Sequence, residues 1–207
     1  MLLGVAGVLA VLNWLAVARQ TKALEYVAKP GTLAALIGVA VALDPIDSDI
    51  RVWFVAALVL SLLGDVFLML PADRFVAGLA SFLLAHVAYT VGFNLHAGTA
   101  TAFVVASLIV SAVAVVLAVP ILRGLRAGGH QALAGPVIAY MVVISAMLVS
   151  ALATGNIWAI VGATLFFTSD ALIAWNRFVR PLSFAPVAIM VTYHLGQAGL
   201  VLSLAYT

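Results

Sequence analysis

The chain has 207 residues, of which 66% are hydrophobic and 8% charged, with a formal net charge of +2. Soluble domains carry roughly 25% charged residues, so this composition excludes a soluble globular protein and describes an integral membrane protein. The positive excess lies in loops and reports orientation in the bilayer, not nucleic-acid binding. The absence of cysteine excludes disulfides, thiolate metal sites and cysteine nucleophiles.

A helix that crosses a bilayer needs about 20 predominantly apolar residues. Eight stretches qualify, in chain order 2–18, 27–43, 52–70, 75–95, 100–120, 133–153, 156–175 and 184–206. They are referred to as spans 1 to 8. Turn and charge signals separate them: Asp44-Pro45, Leu70-Pro71-Ala72-Asp73-Arg74, Gly128-Gly129-His130, Thr154-Gly155-Asn156 and Arg180-Pro181. The connections are short, so consecutive spans are expected to be antiparallel neighbours in one domain covering residues 1–207.

Span 1 ends Ala16-Val17-Ala18, which resembles a signal-peptidase site. No basic segment precedes it, and Arg19 and Lys22 follow it, so it is read as a first transmembrane helix. Span 2 opens with Lys29-Pro30, where proline suits a first helical turn and lysine can reach the interface. Span 3 carries Asp65 inside the apolar run Ser61-Leu62-Leu63-Gly64-Asp65-Val66-Phe67-Leu68. Span 4 carries His86 and Tyr89 three residues apart, hence on one face. Span 5 has no polar landmark. Span 6 opens with Gly135-Pro136 and places Tyr140 one turn further in. Span 7 carries Asp170 and closes with Asn176-Arg177. That pair reads either as a helix cap with a charge that sets orientation, or as a contact for a lipid phosphate. Span 8 carries Tyr193, His194 and Gln197. Glycines such as Gly4, Gly7, Gly196 and Gly199 are read as helix-packing positions, and Trp53 and Tyr206 as belt residues.

Basic residues set the orientation. With the N-terminus outside, eight of the nine fall on inner connections (Arg19, Lys22, Lys29, Arg74, Arg123, Arg126, Arg177, Arg180) and only Arg51 falls outside. Asp44, Asp47 and Asp49 make an outer loop acidic. The expected topology is N-out, C-out. Spans 3 and 7 then both run outside to inside. Asp65 and Asp170 each stand five residues before the inner end of their span, roughly 7–8 Å inside the cytoplasmic boundary at 1.5 Å per residue.

A charged side chain near the bilayer centre costs at least ~2.5–3.5 kcal/mol, so two carboxylates at one depth call for a function. Two close carboxylates in a low-dielectric site cannot both hold charge, and the expected result is one neutral acid beside one anion. That pairing serves acid-base hydrolysis of ether-like bonds. His86 and His194 with the aspartates form a ligand set possible in kind, but no local metal-binding spacing accompanies them. No G-x-S-x-G elbow exists for a serine hydrolase. A weak parallel four-plus-four repeat is also legible: Asp65 through Arg74 to His86 against Asp170 through Arg177 to His194, and Lys29-Pro30 against Gly135-Pro136. It would put a site between the halves.

The ordered set of short motifs resembles the lysoplasmalogenase family, the YhhN-like membrane proteins of bacteria and animals. The matching pieces are Lys29-Pro30; Leu63-Gly64-Asp65-Val66; Phe75-x-x-Gly78-Leu79-x-x-Phe82-x-x-Ala85-His86-x-x-Tyr89; Pro136-x-x-x-Tyr140; Gly162-Ala163-x-Leu165-Phe166-x-x-Ser169-Asp170-x-x-Ile173-Ala174; and Tyr193-x-x-Gly196-Gln197. The resemblance implies an all-α, eight-span membrane hydrolase that cleaves the vinyl ether of a lysoplasmalogen to a fatty aldehyde and a glycerophospho-alcohol. It implies Asp65 and Asp170 as catalytic residues, with Lys29 and His86 in support and no metal or organic cofactor. Tyr89, Tyr140, Asn176, Arg177, Tyr193, His194 and Gln197 join them as candidate lining or supporting residues. The expected substrate is a lyso-ether-phospholipid, and the expected location is a bacterial cell membrane with the site towards the cytoplasm. The competing expectation is a proton-coupled carrier using the same two aspartates. The prolines fall near span ends rather than breaking helices at mid-membrane, which disfavours it. A membrane scaffold leaves the matched aspartates unexplained.

Overall fold

The structure, a computed structural model, describes residues 1–44, 48–70, 74–96 and 98–206. The expected turn residues Pro45, Pro71, Ala72 and Asp73, and the acidic Asp47, lie outside the described residues. The fold is all-α. Among the described residues eight α-helices follow in order: α1 (Leu2–Ala18), α2 (Lys22–Ala42), α3 (Ser48–Met69), α4 (Phe75–Asn94), α5 (Ala100–Ala127), α6 (Ala134–Ala153), α7 (Ile157–Phe178) and α8 (Ala185–Ser203). One-turn 3-10 segments precede α6 (Gln131–Leu133) and follow α8 (Leu204–Tyr206). Seven helical segments, α2 to α8 with their adjoining turns, are long and apolar enough to cross a membrane; α1, with 17 residues, is shorter. The protein is therefore a multi-pass membrane protein.

The helix ends correct several expectations. The α2 helix begins at Lys22, not Val27, because Lys22 and Glu25 form a first-turn ion pair at 2.7 Å. Pro30 thus lies inside the helix rather than in its first turn, and Lys29 is buried rather than reaching the interface. The α5 helix runs through Pro120 to Ala127, 28 residues in all. Neighbouring helices in a membrane can satisfy the carbonyl that a proline frees. The α7 helix continues to Phe178 and α3 stops at Met69, so Asp65 precedes its helix end by four residues and Asp170 by eight. The equal spacing read from span ends does not survive.

Consecutive helices pack together except α4 and α5, where α4 packs on α6 instead and the expectation of neighbouring consecutive spans fails; glycines decide how closely the pairs approach. A Cβ at Gly64 would lie 2.6 Å from the Phe82 ring, one at Gly78 2.6 Å from Leu68, and one at Gly92 2.9 Å from Phe54. These contacts lock α3 onto α4. In α7 and α8 the approach is backbone on backbone: a Cβ at Gly162 would meet the Leu200 nitrogen at 2.6 Å, and one at Gly199 the Gly162 Cα at 2.8 Å. Small residues allow such crossings where lipid offers no hydrophobic drive to associate. Gly4 and Gly7, expected to pack in the same way, would meet nothing within 4 Å.

The main core gathers residues such as Leu36, Phe54, Leu58, Tyr89, Met147 and Phe166, all fully buried. Phe54 meets Tyr89 and Phe93 edge-on at 5.0 and 5.1 Å. A smaller cluster of Phe75, Ile121, Leu125, Val137 and Phe178 closes one end of the bundle. The Arg177 guanidinium lies 4.0 Å over the Phe75 ring there, a cation–π contact.

Candidate active site

The polar side chains that the apolar helices carry inward gather into two hydrogen-bonded groups. The first is built on α2, α3 and α8. Asp65, 1% exposed, receives Lys29 Nζ on Oδ1 at 3.0 Å and the Tyr193 hydroxyl on Oδ2 at 2.7 Å. Lys29 reaches it because the longer α2 sinks the lysine into the bundle. Isolated charges in such surroundings are costly, and pairing with a further hydrogen bond offsets that cost. The Tyr89 hydroxyl donates to Gln197 Oε1 at 2.6 Å, one turn along α8 from Tyr193.

The second group is built on α4, α6 and α7. The Tyr140 hydroxyl donates to Asp170 Oδ2 at 2.5 Å, and His86 Nε2 lies 3.1 Å from the same oxygen and 2.9 Å from the Tyr140 oxygen. His86 is fully buried, whereas the Asp170 side chain is 11% exposed. Its exposed part lines a cavity walled by Leu79, Phe82, Ile121, Tyr140, Ile144 and Phe167 among others, which extends to Phe75 and Phe178 at the basic end of the bundle. Asp65 does not line that cavity.

Aromatic rings separate the two groups. Phe166 stands edge-on to His86 at 4.7 Å and to Tyr193 at 5.3 Å, and Phe82 meets Phe166 at 6.1 Å and Tyr193 at 5.8 Å.

Of the residues singled out from sequence, Lys29, Asp65, Tyr193, Tyr89 and Gln197 thus form one connected region, and His86, Tyr140 and Asp170 the other. His194 joins neither. Its Nδ1 accepts from Trp14 Nε1 at 3.1 Å, and the indole also reaches the Met190 carbonyl at 3.2 Å. Asn176 takes a capping role, accepting the Leu182 backbone N–H at 2.8 Å. Trp14, Phe82 and Phe166 were missed as organising residues. An indole N–H inside a span needs an acceptor, a signal that could have singled out Trp14. Among the described residues, no three His, Cys, Asp or Glu side chains cluster as a metal site would require.

Residues 24–204 match the YhhN family. The human protein named lysoplasmalogenase TMEM86B is 37% identical over 152 residues, covering 71% of this chain and 61% of the human protein. A lysoplasmalogenase of Mycobacterium tuberculosis is 37% identical over 158 residues, 72% of this chain and 58% of the mycobacterial protein. Mouse lysoplasmalogenase TMEM86B is 34% identical over 152 residues, 71% of this chain and 61% of the mouse protein. The chain matches only about three fifths of the length of these relatives. No solved structure matches it.

Proposed function

The chain belongs to the YhhN family, and from that premise we propose that it is a membrane-embedded hydrolase that cleaves the vinyl ether of lysoplasmalogens by acid-base chemistry. The observation that carries this reading is the setting of Asp170: a carboxyl group at the wall of an apolar cavity, with Tyr140 and His86 both on Oδ2. That arrangement leaves Oδ1 for whatever occupies the cavity. The relatives named lysoplasmalogenase supply the substrate class.

A vinyl ether hydrolyses by protonation of the alkene carbon remote from oxygen. Neutral Asp170 delivers that proton and becomes a carboxylate, while the substrate becomes an oxocarbenium ion. Water adds to the cation and returns a proton to Asp170, leaving a hemiacetal. The hemiacetal collapses to a fatty aldehyde and the glycerophospho-alcohol, so one water is consumed and the acid is regenerated. Anionic Asp170, held by the tyrosine hydroxyl, faces the developing positive charge inside a water-poor site, where such an interaction is strong. Asp65 is the fixed anion of the pair. Its ion pair with Lys29 holds it in place, and Tyr193 anchors α8 to it.

The two groups relate as halves of a parallel repeat would. Asp65 on α3 is held from α2 and α8, and Asp170 on α7 from α6 and α4. Each aspartate thus takes one partner from its own half and one from the other. The basic connections favour N-out, C-out topology with the cavity mouth and Arg177 on the cytoplasmic side. Lys29 is committed to Asp65, so the substrate phosphate belongs with the arginines at that end.

The test is purified protein in detergent, supplied with choline or ethanolamine lysoplasmalogen and assayed for fatty aldehyde beside Asp170→Asn. Aldehyde from the native chain and its loss in the variant is the expected result. Native-like aldehyde release from Asp170→Asn overturns the mechanism. A folded native protein that releases none removes the activity and returns attention to proton-coupled flux in liposomes.

A further inference from the structure

A second concavity lies beside the Asp170 cavity. It is a groove of about 690 Å³ between α5 and α7, floored by α6. Its walls are almost wholly apolar, for example Ile109, Val113, Leu152 and Leu172. Among its few polar groups, the Thr168 hydroxyl is spent on the Thr164 carbonyl at 2.8 Å. From Thr164 to Trp175 the groove follows α7 across twelve residues, roughly 16 Å at 1.5 Å rise per residue. It ends at Arg180, an exposed cation at the basic end of the bundle. Three residues, Leu117, Phe167 and Ala171, line both this groove and the Asp170 cavity.

We propose that this groove seats the aliphatic chain of a single-chain phospholipid arriving sideways from the bilayer, with Arg180 as a cation for its phosphate. The inference rests on the hydrolase reading for the identity of the lipid. Three features point to this occupant rather than to another helix. The groove is open on a membrane-spanning surface, so lipid is the surrounding solvent. It carries one charge, at the end where a headgroup would lie. It is continuous, across Phe167 and Ala171, with the wall that holds the acid. In a lysoplasmalogen only a glycerol separates the phosphate from the vinyl ether. A phosphate at Arg180 therefore leaves the ether on the headgroup side of Asp170, which stands eight residues, roughly 12 Å, before the end of α7, and the chain runs on along the groove past the acid. Trp175, beside Arg180 in the groove, is the kind of amphipathic ring that marks an interface.

The experiment uses the full chain carrying Asp170→Asn, in nanodiscs, with a single-chain ether lysophospholipid bearing a diazirine on its chain. Labelled peptides are identified by mass spectrometry with and without excess unlabelled lysophospholipid. Competed labelling of α5 and α7 along the groove is expected, and Val113→Trp, which fills it, is expected to abolish that labelling. Labelling that excess single-chain lipid does not compete, or that falls on other helices, overturns the groove as a binding site, and labelling unchanged in Val113→Trp does the same. The aldehyde assay separates this from the hydrolase reading. Turnover with labelling elsewhere sinks the groove alone, and competed groove labelling without turnover sinks the reaction alone. Arg180→Gln in the otherwise native chain is expected to raise KM roughly tenfold with kcat little changed, the loss of one charge-assisted contact. It is expected to leave the alkenyl glycerol that lacks phosphate unaffected. Equal losses on both substrates overturn the assignment of Arg180.

Discussion

The two aspartates sit on long apolar helices, α3 and α7, and end in opposite circumstances. Asp65 is sealed: 1% exposed, charge-paired to Lys29, hydrogen-bonded to Tyr193 and absent from the wall of the Asp170 cavity. Asp170 is partly open, with no lysine beside it and a tyrosine and a histidine on a single oxygen. One carboxylate is satisfied by a full opposite charge and the other by polar groups that leave an oxygen to spare. A buried ion pair is a poor proton donor and a good fixture. A carboxyl held on one side only, at a cavity wall, is a usable acid. In the proposed mechanism the same residue type in the same kind of apolar helix therefore serves once as a fixture and once as a reactive group, and the division follows from which helices face it.

Several substitutions can break or sharpen that contrast. Asp170→Asn is expected to lower aldehyde release by about 10²–10⁴-fold, the range that general acid-base catalysis supplies, while thermal unfolding in detergent stays near native. Lys29→Ala should act the other way. It leaves Asp65 buried without its cation, and breaking such a pair costs about 3–5 kcal/mol, read as a large drop in unfolding temperature. The double change Lys29→Met with Asp65→Leu is expected to recover much of that stability, since apolar replacements of buried ion pairs are often neutral or better; a double variant as unstable as the single one would mean the pair is not the main fixture. Removing one hydroxyl on each side sharpens the contrast further. Tyr140→Phe is expected to cost activity about tenfold with little change in stability, and Tyr193→Phe to cost about 1–3 kcal/mol of stability with a smaller change in kcat. Equal kinetic losses from the two tyrosine variants would erase the distinction. Trp14→Phe is the mildest. It removes one hydrogen bond to His194, about 0.5–1.5 kcal/mol, and should leave aldehyde release near native.

The aspartates, His86 and Tyr140 stood out because a polar group inside an apolar run has a cost that something must offset. The helix count was legible for the same reason that the composition was: uninterrupted apolar length. Which polar group meets which was not. Tyr193 and His194 are adjacent in sequence, and only the angular position of α8 against α1 and α3 sends the first to Asp65 and the second to Trp14. Helix ends were misjudged wherever a helix runs past its apolar stretch, as α2 does to Lys22 and α7 to Phe178. That error hid the burial of Lys29, because a lysine thought to open a helix is placed at the interface. Gly196 and Gly199 pack as read, while Gly4 and Gly7 do not, since a small residue permits close approach without compelling it.

The Lys29–Asp65 pair also has a meaning for how the chain enters its membrane. Each helix alone would bring an uncompensated charge into hydrocarbon, a cost of roughly 2.5–3.5 kcal/mol on insertion scales. The α2 and α3 helices are consecutive and packed together, so the two charges can cancel within one hairpin before any later helix has left the ribosome. Tyr193, on α8, reaches Asp65 only after α8 has been made. The sealed half of the site is thus born in two stages, neutralised early by its neighbour in sequence and closed later by α8.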